Sequence, residues 1–439
     1  METGKNIRIE NTKPTRARMI ILAMVFVCVI INYMDRSNVS IAAPMFSKEL
    51  HLSSVQLGLI FSAFGWAYAL LQIPGGICLD KFGSRVMNTI SLGMWSLSTL
   101  LQAFVKGFPS FLGLRISLGI FEAPAFPTNN RVVTTWFPEN ERASAIGFYT
   151  SGQFVGLAFL TPLLVALQNI FGWRALFVIT GVIGMLWAAG WYFLYRDPKA
   201  SKWINERELN FIRKGGAIVD ISNKNEEGKI KRKFTINDFK IVLTSRKLWG
   251  IYIGQFAVCS TLWFFLTWFP TYLVEYRHLG FIKMGFLASL PFLAAFCGVI
   301  ISGIISDSLI KKGVSVGIAR KTPIIFGLLL STSIVAANFV ESPSLVVLFM
   351  TLAFLGNGLA SITWVFVSTI APIELIGLTG GVFNFIGNLS SIFIPLAIGF
   401  IVKGGNFQPA IILIGVITFL GALSYIFLVG KVERIKVNG

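Results

Sequence analysis

The sequence predicts an all-α membrane protein of twelve transmembrane helices arranged as two bundles of six. Three observations carry this. Of 439 residues, 54% are hydrophobic and only 13% charged, and the mean hydropathy is +0.72, more apolar surface than a soluble domain buries. Apolar stretches of about 20 residues, the length that crosses a hydrocarbon core, recur along the chain. One long polar stretch, 196–247, divides them six and six, so the chain reads as an N-terminal bundle (1–195), a connection (196–247) and a C-terminal bundle (248–439).

In chain order the predicted spans are 19–43, 56–77, 87–106, 109–127, 145–168 and 174–195, then 248–273, 284–305, 323–340, 344–371, 378–402 and 409–430. The first is too long for a signal-peptide core and carries Asp35 and Arg36 near its far end, so it reads as a retained helix. The connection holds Glu206, Glu208, Lys224, Glu226, Glu227 and the run Lys231, Arg232, Lys233. Within it, Trp203 to Arg213 and Ile236 to Leu248 have the pattern of short surface helices with one apolar face.

Basic residues set the orientation. Lys5, Arg8, Lys13, Arg16 and Arg18 precede the first span, and Lys81, Arg85, Arg131, Arg142, Lys311, Lys312, Arg320 and Lys321 follow even-numbered spans. The positive-inside rule places them, and both chain ends, on the cytoplasmic side. This placement also accounts for the net charge of +18: the charges hold topology and meet anionic lipid, so lipids are expected partners and nucleic acid is not. Cys28, Cys78, Cys259 and Cys297 lack metal or redox spacing. His51 and His278 fall in outward loops, and no phosphate-binding glycine loop or catalytic constellation occurs. The chain is read as a non-enzyme, with no cofactor and no metal.

The halves echo each other. Gly76 to Arg85, with Asp80, Lys81 and Gly83, lies between spans two and three; Gly303 to Asp307, followed by Lys311, Lys312 and Gly313, lies between spans eight and nine. Gly76, Asp80, Gly83, Arg85, Gly303 and Asp307 are read as a conformational motif: glycines let helices approach, and the charges bridge helix ends and release when that face opens. The plain alternative is two tight charged turns. Such a six-plus-six repeat is the pattern of the major facilitator superfamily.

Asp35, Arg36, Arg115 and Glu122 lie inside predicted spans, where an ionisable residue is a functional candidate. Arg115 and Glu122 are seven residues apart, on one helix face but about 10 Å apart along the axis. They are too far apart to pair, and the expected pairs are Asp35 with Arg115 and Arg36 with Glu122. An anion that takes over the arginine frees its carboxylate to hold a proton, so substrate and proton binding become linked. An ion-pair cluster that only sets helix packing is the alternative, although burying ion pairs seldom adds stability. Tyr33, Tyr68, Gln153, Gln255, Ser361, Thr363, Trp364 and Asn384 add the hydrogen-bonding groups and aromatic faces that a polyhydroxy carboxylate needs. Singly, each is equally an interhelical hydrogen bond.

The stretches Asn32 to Asn38, Gly119 to Arg131 and Trp136 to Ala145 resemble the anion:cation symporter family of the major facilitator superfamily, which includes bacterial hexuronate, glucarate and galactonate carriers, the sialins and the vesicular glutamate transporters. Gly147 to Thr161, Gln255 to Pro270 and Gly377 to Phe385 are most similar to its galactonate carriers. The resemblance implies the major facilitator fold, a bacterial inner membrane location and a monomer that imports a sugar acid, D-galactonate foremost, with protons. It also implies residue roles. Asp35 and Glu122 match the proton-titrating carboxylates, and Arg115 matches the arginine that engages Asp35. Arg36 matches the substrate-side arginine, and the eight polar residues above match cavity-lining positions. Another hexonate, a hexuronate or an aldarate, exchange instead of symport, and a sensor that binds without transporting remain alternatives.

Overall fold

The computed structural model describes residues 14–219, 235–372, 375–402 and 405–435, and every regular element among them is helical. Backbone groups in a hydrocarbon core must be paired within the segment, which is why the apolar runs become helices. Among the described residues nine helices are long and apolar enough to span a membrane by length and composition. This is three fewer than the expected twelve: Glu139–Leu194 counts once although it contains two antiparallel arms, and 84–101 and the broken helix 108–136 are not among the nine.

The first helix, α1, is Ala17–Glu49. Ser54–Leu101 follows, started by a capping box in which Ser53 and Gln56 exchange side-chain and backbone hydrogen bonds. Gly83, at φ +76°, breaks it into α2 (54–82) and α3 (84–101). The arms run antiparallel: Phe64 on α2 and Trp95 on α3 both meet adjacent residues of α1, Arg36 and Asp35. A left-handed turn of this kind suits glycine, which has no Cβ to strain. Phe108–Glu122 continues through Ala125–Trp136 as α4, interrupted at Pro124. Glu139–Leu194 divides at Gly172, φ +81°, into α5 (139–171) and α6 (173–194).

The second half begins with α7, Arg246–Thr267, followed by α8, Phe281–Lys311. Next come α9, Val316–Ser331, and α10, Pro343–Ala360, which passes through a 3-10 turn at Ser361–Thr363 into Trp364–Ile370. The last two helices are α11, Ile376–Ile401, and α12, Gln408–Leu423. The separate arms of Glu139–Leu194, together with 84–101 and the broken α4, account for the three crossings beyond the nine. Helices α4 and α10, at the same place in the two halves, are both interrupted near mid-span, the first directly after Glu122 and the second at Ser361–Thr363. Broken helices of this kind form the sites of repeat-built transporters.

Between the halves lie two short helices, each docked on its own half. Glu206–Lys214 is tied to the first: buried Glu208 accepts from Thr15 Oγ1 at 2.7 Å, from the Ala17 amide at 3.0 Å and from Arg18 Nη1 at 2.9 Å. The same carboxylate thus satisfies the start of α1, which has no side-chain cap of its own. Ile236–Thr244 meets the second half, where Tyr252 and Trp249 donate to the carbonyls of Val242 and Leu243. The Lys231, Arg232, Lys233 run, Lys224, Glu226, Glu227, Lys5, Arg8, Lys13 and Lys436 lie outside the described residues.

The halves touch at one end and part at the other. On α2 the residues 58, 65, 72 and 76 share a face, and that face meets α11. A Cβ on Gly58 would lie 2.8 Å from the Pro395 carbonyl oxygen, and one on Gly65 would lie 2.2 Å from Ser391 Oγ. Gly285 of α8 packs equally closely on Val165 of α5, and the Phe61 and Trp268 rings meet edge-to-face at 5.2 Å. The last cross-link is Asn384 Nδ2 donating to Gln72 Oε1 at 3.1 Å. Beyond it Gly76, Gly377 and Gly381 have nothing within 4 Å of a Cβ. The cleft therefore opens at the end that carries Pro14, the 196–219 segment and Ile435.

This seal makes a prediction. Gly58→Val drives methyl groups into the backbone of α11, which cannot retreat as a side chain would. Spin labels at Leu52 and Asn406, on opposite sides of the seal, should shift toward longer separations. An unchanged distance distribution would contradict this account of the closure.

Candidate functional site

Four ionisable side chains are buried together in the first half: Asp35 and Arg36 on α1, and Arg115 and Glu122 on α4. Glu122 is the last residue before the α4 interruption, which points it across to α1. Arg36 Nε donates to Glu122 Oε1 at 2.6 Å, and Arg36 Nη2 forms an ion pair with the same oxygen. The guanidinium lies over three rings, Tyr33 at 4.9 Å, Phe64 at 4.8 Å and Tyr68 at 5.0 Å. Desolvated contacts of this kind are worth about 2 kcal/mol each.

The expected pairing of Asp35 with Arg115 is corrected. Among the described residues no ion pair joins them. Asp35 Oδ2 instead accepts from Trp95 Nε1 at 3.1 Å, and its Oδ1 accepts from Asn38 Nδ2 at 3.4 Å. The Arg115 guanidinium is turned toward α2, where it donates to the Ile60 carbonyl at 3.4 Å and lies 5.6 Å from the Phe64 ring, leaving Nη1 unpartnered. A neutral donor on one side and a ring face on the other keep the two charges apart in this state.

The second half contributes a polar chain. Thr363, in the α10 interruption, donates to Gln255 Oε1 at 2.7 Å, and Gln255 Nε2 donates to Cys259 Sγ at 3.4 Å. Asn388 Nδ2 donates to Asn384 Oδ1 at 3.1 Å, and Asn384 in turn reaches Gln72 across the halves. Trp364 is half exposed and meets Phe383 edge-to-face at 4.9 Å. Ser361 bonds the Gly358 carbonyl of its own helix. Gln153 on α5 is partly exposed and makes no hydrogen bond among those of the described residues. Tyr33, Arg36, Glu122 and Tyr68 thus form one cluster, Gln255, Thr363 and Asn384 belong to the facing half, and Ser361 and Gln153 stand apart.

The motif glycines and charges do not cross between the halves here. Arg131 of α4 pairs with Asp80 at 3.1 Å within the first half, and Arg85 donates to the Tyr192 carbonyl at 2.9 Å. Asp307 is exposed and has no ion pair among the described residues. Gly76 and Gly303 face open space.

Several residues escaped the sequence reading: Phe64, Gln72, Trp95 and Asn388. A helical spacing signal was present for two of them, because Phe64, Tyr68 and Gln72 lie four apart on one face of α2. Trp95 on α3 carried no such mark. A separate vestibule of about 630 Å³ at the sealed end, lined by Lys48, His51, Trp268, Glu275 and Phe407 among others, includes none of the predicted residues. Burial holds the Glu275 carboxyl above its ordinary range, with Lys48 acting against the shift. Among the described residues no group of three or more His, Cys, Asp or Glu side chains is placed to hold a metal ion.

A broken helix at the same place in each half, with a buried charge cluster beside one of them, is the arrangement of a repeat-built membrane transporter. The sequence matches the Major Facilitator Superfamily profile over residues 25–395, and the chain belongs to that superfamily. It is 51% identical to a D-galactonate transporter of Escherichia coli O6:H1, over 98% of this chain and 100% of that protein. It is 42% identical to a probable galactarate/D-glucarate transporter, GarP, of Escherichia coli K12, over 98% of each. A hexuronate transporter of Bacillus subtilis is 31% identical over 94% of each. The fold matches a D-xylose-proton symporter with a TM-score of 0.71 at 15% identity, covering 94% of this chain and 98% of that one. These relatives are transporters, not enzymes.

Proposed function

We propose that this protein imports D-galactonate together with protons across a bacterial inner membrane, with the connection and both chain ends cytoplasmic. The observation that carries the reading is the buried Arg36–Glu122 pair, which joins α1 to the interruption of α4. An organic anion is the natural competitor for that guanidinium, which offers a planar fork suited to a carboxylate. The polar groups of Gln255, Thr363, Asn384 and Asn388 suit the hydroxyls of a sugar acid. Identity of 51% to a D-galactonate transporter, against 42% to an aldarate carrier and 31% to a hexuronate carrier, supports D-galactonate over these neighbours.

In this mechanism the sugar-acid carboxylate replaces Glu122 at Arg36, and the freed Glu122 holds a proton. Asp35, bonded to neutral donors and not to Arg115, is the second proton carrier. Two protons with one monovalent anion make the loaded carrier cross with one net positive charge, driven inward by about 2.3 kcal/mol per 100 mV of potential. The open cleft of this structure is then the cytoplasm-facing, releasing state, and rocking of the halves about the site exposes it to the other side.

Counterflow in proteoliposomes preloaded with unlabelled D-galactonate tests the substrate. Labelled galactonate should enter, and galactarate, glucarate and hexuronates should compete less well than galactonate itself. A better competitor would replace galactonate as the substrate. Binding without any counterflow would instead make the protein a sensor.

A further inference from the structure

Phe64 stands where the charge cluster meets the other half of the molecule. Its ring is wholly buried and lies against both guanidinium groups, 4.8 Å from that of Arg36 and 5.6 Å from that of Arg115. Two cations this close repel each other, and an aromatic ring that presents electron-rich faces holds them apart while attracting each. Its backbone is fixed as well: a Cβ on Gly119 would lie 2.4 Å from the Phe64 carbonyl oxygen, so α4 abuts α2 here, three residues before Glu122. The ring then reaches across the halves to Trp263 of α7, at 5.9 Å and tilted by 39°. Tyr68 stacks on it at 5.0 Å.

We propose that Phe64 is a positioning residue that ties the placement of Arg36 and Arg115 to the packing of the two halves, with Trp263 as its counterpart. The inference rests on the symport reading and deepens it. With Trp263 packed against it, the ring has one orientation, which holds Arg36 toward Glu122 and Arg115 away from Asp35. When the halves rock and Trp263 withdraws, the ring gains freedom and both arginines can exchange carboxylates. The charge exchange is then confined to the conformational step, and protons cross only with substrate. A small aliphatic side chain fills part of the space but offers the arginines no face and Trp263 no edge.

The test compares counterflow at zero gradient with accumulation under an inward proton gradient, using labelled D-galactonate and reconstituted wild type, Phe64→Leu, Phe64→Tyr and Trp263→Leu. The proposal expects Trp263→Leu to keep near wild-type counterflow while accumulation falls about tenfold, the size of an ordinary coupling energy, and Phe64→Leu to lose accumulation by about tenfold more than it loses counterflow. Phe64→Tyr keeps the ring and should restore accumulation. Full accumulation by Phe64→Leu, or a parallel loss of counterflow and accumulation, overturns the proposal. If Phe64→Leu does not fold, Trp263→Leu decides from the other half, and wild-type accumulation there overturns it equally. Wild-type protein that exchanges galactonate but never accumulates it on a proton gradient defeats the symport reading itself, a result visible before any variant is made.

Discussion

Arg36→Ala is expected to cut D-galactonate transport by about 100-fold in kcat/KM, because truncating one partner of a buried charge pair costs about 3 kcal/mol. In the substrate-free protein the change strands Glu122, which is wholly buried and has Arg36 as its ion-pair partner. That carboxylate then stays protonated, so the protein folds but has no cation at the cage of Tyr33, Phe64 and Tyr68. Arg36→Lys keeps the charge and loses the planar fork that fits both a carboxylate and three ring faces. It should fall between alanine and wild type. Galactonate-dependent thermal stabilisation of purified protein measures the binding part separately: wild type should be stabilised and Arg36→Ala should not. Equal stabilisation of both would place the substrate carboxylate elsewhere.

Glu122→Gln should separate binding from energy coupling. The amide keeps the shape of the side chain but carries no exchangeable charge, and it leaves Arg36 without a counter-ion until substrate arrives. Substrate then meets less competition for the guanidinium, so counterflow should persist. One proton fewer is carried per cycle, which makes the loaded step electroneutral. A single charge at 100 mV is worth about 2.3 kcal/mol, or about 50-fold in an accumulation ratio. The potential-driven part of accumulation should therefore vanish in this variant. Retention of the full response to potential would remove Glu122 from the coupling.

The charge cluster was legible from sequence because hydrocarbon is intolerant of ionisable groups: Asp35, Arg36, Arg115 and Glu122 stood out against apolar runs. The Arg36–Glu122 pair followed from the geometry of two helical turns on α4. The partner of Asp35 did not follow, since complementary charge alone cannot reveal that a tryptophan two helices along supplies a closer donor. Number and order of crossings were readable from apolar length, yet the turns at Gly83 and Gly172 are so tight that helical structure runs almost unbroken through them. The two mid-span interruptions were only half visible. Pro124 marks the one in α4, whereas nothing in Ser361 to Thr363 announces a 3-10 turn. Phe64 shared a helical spacing with Tyr68 and Gln72 that Trp95 lacked, yet an aromatic in an apolar helix looks like packing until its neighbours are known. The close approach of α2 to α11 depends on which glycines face each other, and that pairing lies 341 positions apart for Gly58 and Gly399.

The central claim is that galactonate moves with more positive charge than it carries negative. Labelled D-galactonate uptake into proteoliposomes under an inward proton gradient, with and without an inside-negative potential, tests it directly. The account predicts accumulation that requires the proton gradient and rises when the inside is made negative. Accumulation that ignores the proton gradient, or that falls as the inside becomes negative, would contradict it.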